Sequence, residues 1–470
     1  MRRTAAIAGM LAQVAGGVLD ASDRIDHYVE LEMHLNGIPG VAVSIVDFGA
    51  SPVVRAYGTR NILEQSPMTV DTPAELASLS KSFTALAMLE VERSGALTLD
   101  TGISTVLPEL DSGHWQSITI RDLLRHRSGL RREHDFLVPC CGSPGDRDLQ
   151  VAVERLTRAE PAANAAQHFS YANSNFVLLA AIVERFSGMP FERFMERRVF
   201  PALGLRRTTL DPRQAQDWSA SSRHEWHWGR VRVSRAPFLG WYGSSLVKAT
   251  ARDMGRYLAA MLDPAGSSSR LPTLSAEWWT GLEPPYDLGW SVDEPDWLEG
   301  ELVLEHTGDI WGANTAVVLA PRRRTGVAVL TNLDAGRAEP IARSILAGLD
   351  GAPLSPPQRA SPFVRPDMWA IAFLVGSVAL VGSAIALACI LLVQVRRGRR
   401  EWDVGPIRTA RSAVLCGLGV WLLDQFFWRP DMPRETLPST VGQALPALVA
   451  ATAVLLTIVA TAGMFPKSNK

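Results

Sequence analysis

The sequence predicts an α/β (α+β) fold: an antiparallel sheet flanked by helices plus a mostly helical subdomain, followed by three transmembrane helices. Three observations carry this expectation. Short apolar runs that read as strands lie near both ends of the first 350 residues. Between them, apolar residues recur at helical spacing. Beyond that region charge thins out, and the 26 residues 368–393 carry none.

Taken in order, residues 1–21 hold Arg2 and Arg3 and then a small, weakly apolar stretch. They read as a weak signal or an N-terminal extension; the alternative is that 5–34 forms the first helix. Residues 22–350 form the main domain. Within it, 41–47 and 52–58 form a hairpin across a polar turn. Helical sequence starts near 78, 119, 149, 175, 192 and 250. The segment 213–237, rich in Trp, His and Arg, reads as a loop over a cleft. Strands return at 302–308, 314–321 and 326–332, and the helix 341–349 closes the domain. Strands from both ends around a helical middle give the antiparallel sheet and the separate subdomain.

Residues 351–367 are proline-rich and read as a short stiff linker. After it, 368–393 is long enough to cross a bilayer with some tilt. Residues 412–428 and 441–465 give a second and a third span. Arg396, Arg397, Arg399, Arg400, Arg408 and Arg411 crowd the loop between the first two spans. That loop, and a tail holding Lys467 and Lys470, are therefore expected in the cytoplasm. The protein is expected to be a multi-pass cell-membrane protein with its main domain outside the cytoplasm.

With 470 residues and a formal charge of −1, the chain has room for two domains and no charge excess to suit a polyanion. No nucleic-acid partner is expected. No Walker loop, dinucleotide fingerprint or zinc spacing occurs, so neither cofactor nor metal is expected. His224 and His227 could suggest a metal, but no cysteine or carboxylate cluster joins them. Of the four cysteines, Cys389 and Cys416 fall in the expected spans, and Cys140 and Cys141 are adjacent, so no disulfide framework exists.

The chemistry is carried by Ser78 and Lys81. Three residues apart on an apolar helix, they would share a face near its N-terminus. A serine hydroxyl needs a neighbouring base to become a nucleophile, and a buried lysine can be shifted towards neutrality to serve. Taken singly, each residue has a plainer explanation. Ser78 could cap its helix, Lys81 could be a solvated charge, and Asn173 a turn residue.

Tyr171-Ala172-Asn173 and His306-Thr307-Gly308 follow in order. The set SxxK, YxN, [KH]TG resembles the penicillin-recognising serine hydrolases: serine β-lactamases, D,D-peptidases and related esterases. The flanks at 38–47, 118–130, 169–188, 246–262, 286–292 and 304–321 are similar to the class C-like branch, over roughly residues 22 to 350. The resemblance implies a β-lactamase/transpeptidase-like fold. It implies that Ser78 is acylated and that Lys81 and Tyr171 form the acid–base pair, the phenol pKa lowered by the lysine. Asn173 would bond the substrate amide or Lys81. The backbone N–H groups of Ser78 and Asp309 would form the oxyanion hole, and Gly308 would let the strand approach the substrate. His306 stands where many relatives have lysine, and Thr307 lies beside it on the strand facing the substrate. His126 matches a position that holds a loop.

Two departures bear on the substrate. His306 is a cation only partly charged near neutral pH. Asp309 puts a carboxylate beside the oxyanion hole. Ester or peptide hydrolysis is therefore expected to exceed β-lactam hydrolysis. The expected function is a membrane-anchored serine hydrolase acting on a small-molecule or peptide substrate. The alternative is a β-lactam or peptidoglycan sensor, or a penicillin-binding module without turnover.

Overall fold

The structure, a computed structural model, describes residues 21–47, 50–138, 148–162, 168–227, 229–234, 241–263, 278–349 and 351–360, with scattered positions between 375 and 397. The chain divides into two compact units. Residues 1–225, 231–234 and 238–360 form the first, and 226–230, 235–237 and 361–470 the second. The account below concerns the first.

Its centre is an eight-stranded sheet in which each neighbour pairs antiparallel. The strands are β1 (Gly40–Asp47), β2 (Val53–Asn61), β3 (Ser66–Pro67), β4 (Ala74–Glu75), β5 (His224–His227), β6 (Arg230–Val233), β7 (Lys248–Ala249), β8 (Tyr286–Asp287), β9 (Trp290–Asp293), β10 (Val303–Ile310), β11 (Ala313–Ala320) and β12 (Thr325–Thr331). The sheet runs β3-β2-β1-β12-β11-β10-β9-β8, while β4 and β7 pair separately. The hairpin from the start of the domain therefore closes onto its last strand, with Val41 opposite Thr331 and Asp47 opposite Thr325.

β11 and β12 are buried along their whole length, and β1 at all but its last residue. A sheet so buried needs cover on both faces. Helices Ala21–Asn36 and Ala338–Leu349 pack on β1, β11 and β12, and the helix Ala251–Leu262 packs on β1, β2 and β12. Side chains alternate between the two cores. Ala42, Val46, Val317, Leu319, Ala328 and Leu330 join a core that continues into the helical subdomain.

That subdomain is built around the helices Ser80–Arg93 and Asn173–Ser187, which pack on each other. Both are buried over most of their length. Gly188 ends the second in the left-handed region at φ 66°, a C-terminal stop suited to glycine.

Segment 213–237, expected as a loop, holds a short helix and two strands among its described residues. Asp211 accepts from the Arg213 N–H and Pro212 sits in the first turn, which starts the helix Pro212–Asp217. The strands β5 and β6 follow. Sequence reading missed the cap because the helix is too short to show a period.

Among the described residues, no helix is long and apolar enough to cross a membrane. The expected spans 368–393, 412–428 and 441–465 lie outside the described residues, apart from scattered positions in the first, and so does 1–20.

Candidate active site

Ser78 does not sit within the helix as expected, but in a 3₁₀ turn, Ala77–Leu79, just before the helix Ser80–Arg93. Ala77 has φ 48°, a strained value for a residue with a side chain, and turns the chain sharply there. The turn is held from two sides. β4 leads into it and pairs with β7, where a buried Lys248–Glu75 contact of 2.7 Å closes the pair. From the other side β10 crosses it. A Cβ at Gly308 would lie 2.1 Å from the Leu76 carbonyl oxygen, and the Thr315 hydroxyl donates to that same oxygen at 3.0 Å. Glycine at 308 is thus required by the protein's own backbone, whatever it also allows a substrate.

β9 pairs β10 as far as Glu305. From His306 to Ile310 the strand continues beside the Ser78 turn instead. This arrangement brings Thr307, Gly308 and Asp309 alongside that turn.

Lys81 is fully buried. Its Nζ lies 3.2 Å from Ser78 Oγ, 2.8 Å from Asn173 Oδ1 and 3.2 Å from the Ser244 carbonyl oxygen. Burial drives its pKa down to about 7, against a raising pull from Asp135 and with a further lowering push from Arg132. An amine in this state can take a proton near neutral pH.

Tyr171 lies over Lys81, with Nζ 4.9 Å from its ring centre. The expectation that the lysine lowers its phenol pKa is corrected. Burial pushes that pKa up, and a hydrogen bond with Ser78 offsets this only in part. Desolvation of the phenolate is the largest influence on it. Tyr171 is therefore a protonated hydroxyl beside Ser78.

Two residues without a motif hold this group in place. Asp135, 3% exposed, accepts from Asn173 N and Nδ2 at 3.0 and 3.1 Å and from Ser174 N and Oγ at 2.7 and 2.5 Å. It fixes the start of the helix Asn173–Ser187, where a carboxylate also suits the helix dipole. His126 Nδ1 accepts from Ala172 N at 3.3 Å and lies 2.9 Å from Asn175 Nδ2, while its own carbonyl accepts from Ser170 N at 2.8 Å. It holds the segment 170–172 as a buried neutral ring, its pKa driven down by burial and by Lys81.

His306 also differs from expectation. Its Nδ1 lies 2.6 Å from the Thr307 carbonyl oxygen and its Nε2 2.9 Å from the Tyr286 hydroxyl. The carbonyl can only accept, so Nδ1 carries the proton and Nε2 accepts from Tyr286. Burial, aided by Lys81, drives its pKa to about 3. It is a neutral ring near pH 7, not a partly charged cation.

Asp309 remains exposed, and the Asn314 amide donates to it. Partial desolvation raises its pKa, offset by hydrogen bonds from Asn314 and Thr307. Asn314 in turn accepts from Ala338 N at 2.7 Å, which ties this corner to the closing helix.

His224 is buried, with Nδ1 3.0 Å from the Asn332 carbonyl and Nε2 accepting from Ile62 N at 3.3 Å. Both nitrogens are engaged with backbone. Among the described residues, no group of three His, Cys, Asp or Glu side chains could hold a metal.

Comparison with known proteins agrees with this architecture. Residues 25–350 match the family model described as Beta-lactamase, and the chain belongs to that family. Beta-lactamase-like protein 2 of Dictyostelium discoideum is 28% identical over 255 residues, covering 52% of this chain and 46% of that protein. Protein flp of Staphylococcus aureus (strain MW2) is 23% identical over 324 residues, covering 67% and 64%. The chain thus spans about half to two thirds of the length of these relatives. An octameric penicillin-binding protein homologue from Pyrococcus abyssi superposes with a TM-score of 0.63 at 22% identity, covering 76% of this chain and 82% of that one. A class C beta-lactamase from Rhodobacter sphaeroides gives 0.58 at 23% identity, covering 70% and 99%. At these identities the structural likeness speaks for the fold. The chain is a β-lactamase-fold protein of the Beta-lactamase family.

Proposed function

We propose that this member of the Beta-lactamase family is a membrane-anchored serine hydrolase that cleaves an ester or amide through an acyl-enzyme on Ser78. The observation that carries the reading is Lys81: buried, beside Ser78 Oγ, and held with a pKa of about 7. In its neutral form Lys81 takes the Ser78 proton as Oγ bonds to the substrate carbonyl carbon. The carbonyl oxygen becomes an oxyanion, received by the backbone N–H groups of Ser78 and Asp309. On collapse the bond to the leaving group breaks, and that group takes a proton. Tyr171, protonated and beside Ser78, is suited to donate it while recovering one from Lys81. Water then attacks the acyl carbon, gives its proton to the same pair, and frees Ser78.

Asn173 orients Lys81 in this scheme. The neutral His306, engaged with Tyr286 and Thr307, shapes the strand next to the oxyanion hole. Lacking a cation at 306, and with the Asp309 carboxylate nearby, the site favours ester or peptide substrates over β-lactams. The uncharged run 368–393, the two further apolar stretches and the arginines between 396 and 411 support a multi-pass anchor, with the hydrolase domain outside the cytoplasm.

A fluorophosphonate probe applied to the full-length protein tests the reading. Ser78 should be labelled, and Ser78→Ala should abolish labelling. Equal labelling of the variant would remove Ser78 from the role of nucleophile.

A further inference from the structure

The site as described has no cation free to meet a substrate anion. Lys81 is buried against Ser78, Asn173 and Ser244. His306 is neutral and bonded at both nitrogens. On the sheet side, Asp309 is itself an exposed carboxylate. The helical side differs. Arg132 opens the 3₁₀ segment Arg132–Leu137, the segment that carries Asp135. With three residues per turn, positions 132 and 135 lie in one row along its surface. Asp135 is bonded to Asn173 and Ser174, so the segment lies against the start of the helix that bears Asn173.

Arg132 is exposed. Its neighbour Arg131 pairs with Glu133 at 3.5 Å. The Arg132 side chain has no hydrogen bond or ion pair among the described residues. A planar guanidinium left without a carboxylate partner, on the segment that packs against the site, is equipped for bidentate recognition of one. Its charge is also felt inside: it lowers the pKa of both Lys81 and Tyr171. That action at two separate groups fits a guanidinium lying close to the reacting centre.

We infer that Arg132 is a substrate-binding residue that takes an anionic group of the substrate, of the carboxylate class, on the helical side of the scissile bond. The inference rests on the serine hydrolase reading and adds a substrate class to it. Asp309 sharpens the choice, since it repels an anion placed on the sheet side. The preferred substrate then carries its negative charge next to the 132–137 segment.

Two esters that share an acyl chain and a leaving group, one with a free carboxylate and one with the matching carboxamide, test this on the full-length protein. Wild type should favour the carboxylate ester by about tenfold or more in kcat/KM, chiefly through KM, as a charge-assisted pair would give. Added salt should shrink that preference. Arg132→Gln should remove the preference, and Arg132→Lys should restore a part of it. The Gln variant should also shift the acid limb of the pH profile upward for both esters, because Lys81 loses a repelling neighbour. A wild type with no preference, or equal losses on both esters in Arg132→Gln, overturns the inference. Fluorophosphonate labelling separates this failure from that of the parent reading. If Ser78 is labelled and the preference is absent, the Arg132 assignment alone falls. If Ser78 is not labelled, the hydrolase reading falls, and calorimetric binding of the two esters decides on Arg132 by the same criterion.

Discussion

Asp135 accepts hydrogen bonds from both the backbone and the side-chain nitrogen of Asn173, at 3.0 and 3.1 Å. Asn173 Oδ1 then lies 2.8 Å from Lys81 Nζ. The carboxylate thereby fixes the orientation of the Asn173 amide, because an amide that donates Nδ2 to Asp135 must present Oδ1 to the lysine. Asp135→Asn offers a donor where two oxygens accepted and should misorient that amide. We expect turnover to fall by about tenfold to a hundredfold, with a loss of stability of about 1–3 kcal/mol for the broken buried contacts. Removing the charge also removes a raising pull on Lys81. The acid limb of kcat/KM should therefore move to lower pH even as the rate falls. A drop in melting temperature with an unmoved pH profile would leave Asp135 a purely structural residue.

In the proposed mechanism Lys81 governs the pH dependence. Its folded pKa of about 7 lies below the ordinary lysine value. The neutral form is the base, so kcat/KM should rise with pH through about 7 and level off above it. Lys81→Ala should cost about a hundredfold or more. Lys81→Arg should fail to restore activity, since a guanidinium cannot give up its proton. The same shift has a stability consequence of definite sign. A lysine with a lowered pKa is unfavourable to the fold wherever the unfolded chain would be protonated. Its cost should appear as pH falls below the ordinary lysine range and stop growing below about 7. Chemical denaturation at several pH values, comparing wild type with Lys81→Met, would show the wild-type deficit growing over that window.

Tyr171 should lose activity as a proton donor and not as a phenolate. Burial holds its pKa above the ordinary tyrosine value, so no alkaline limb belonging to Tyr171 should appear below pH 10. Tyr171→Phe should lower turnover by about a hundredfold. Combined with Lys81→Ala, the loss should be much less than the product of the two, because they act on one proton path. Independent, multiplicative losses would argue against a shared path.

His306 should not titrate between pH 5 and 8. With its pKa near 3 and both nitrogens bonded, nitrogen NMR of the ring should show a fixed Nδ1–H tautomer across that range. A histidine titration near pH 6 assigned to His306 would overturn this. Tyr286→Phe removes the donor to Nε2 and should lower the affinity for substrate more than it changes the pH profile.

The proposed membrane topology rests on the arginine-rich loop between 396 and 411. A reporter fused after Lys470 should be active only if it is of the kind that works in the cytoplasm. A tail cut by external protease on intact cells would reverse the orientation and place the hydrolase domain inside.

Much of the sheet was legible because strand and helix periods differ and the strands are long. β1, β2, β10, β11 and β12 fall where short apolar runs place them. Ser78, Lys81, Tyr171, Asn173 and the strand 306–309 were named from motif order, and the structure brings them to one place. The electrostatics were not legible. Burial decides the protonation of Tyr171 and His306, and Tyr286, which packs on both rings, is distant from each in the chain. Asp135 was missed for a related reason. A lone aspartate in a short 3₁₀ segment has no period and no motif, and its partners lie 38 and 39 residues away. Gly308 was read as room for substrate; that it also makes room for the Leu76 carbonyl is a contact that no local pattern can show.

The pairing of β1 with β12 joins Val41 to Thr331. In a chain made from its N-terminus, the first hairpin must therefore wait for almost the whole domain before its inner edge gains a neighbour. Until then β1 is an apolar strand with unpaired backbone groups, the kind of edge that invites association between chains. Loop closure over such a distance is slow as well as late. A domain so wired cannot mature piece by piece as it emerges from the ribosome or crosses a membrane. Its yield should depend on how well the nascent hairpin is shielded, and slowing translation before residue 325 should promote aggregation more than slowing it after residue 331.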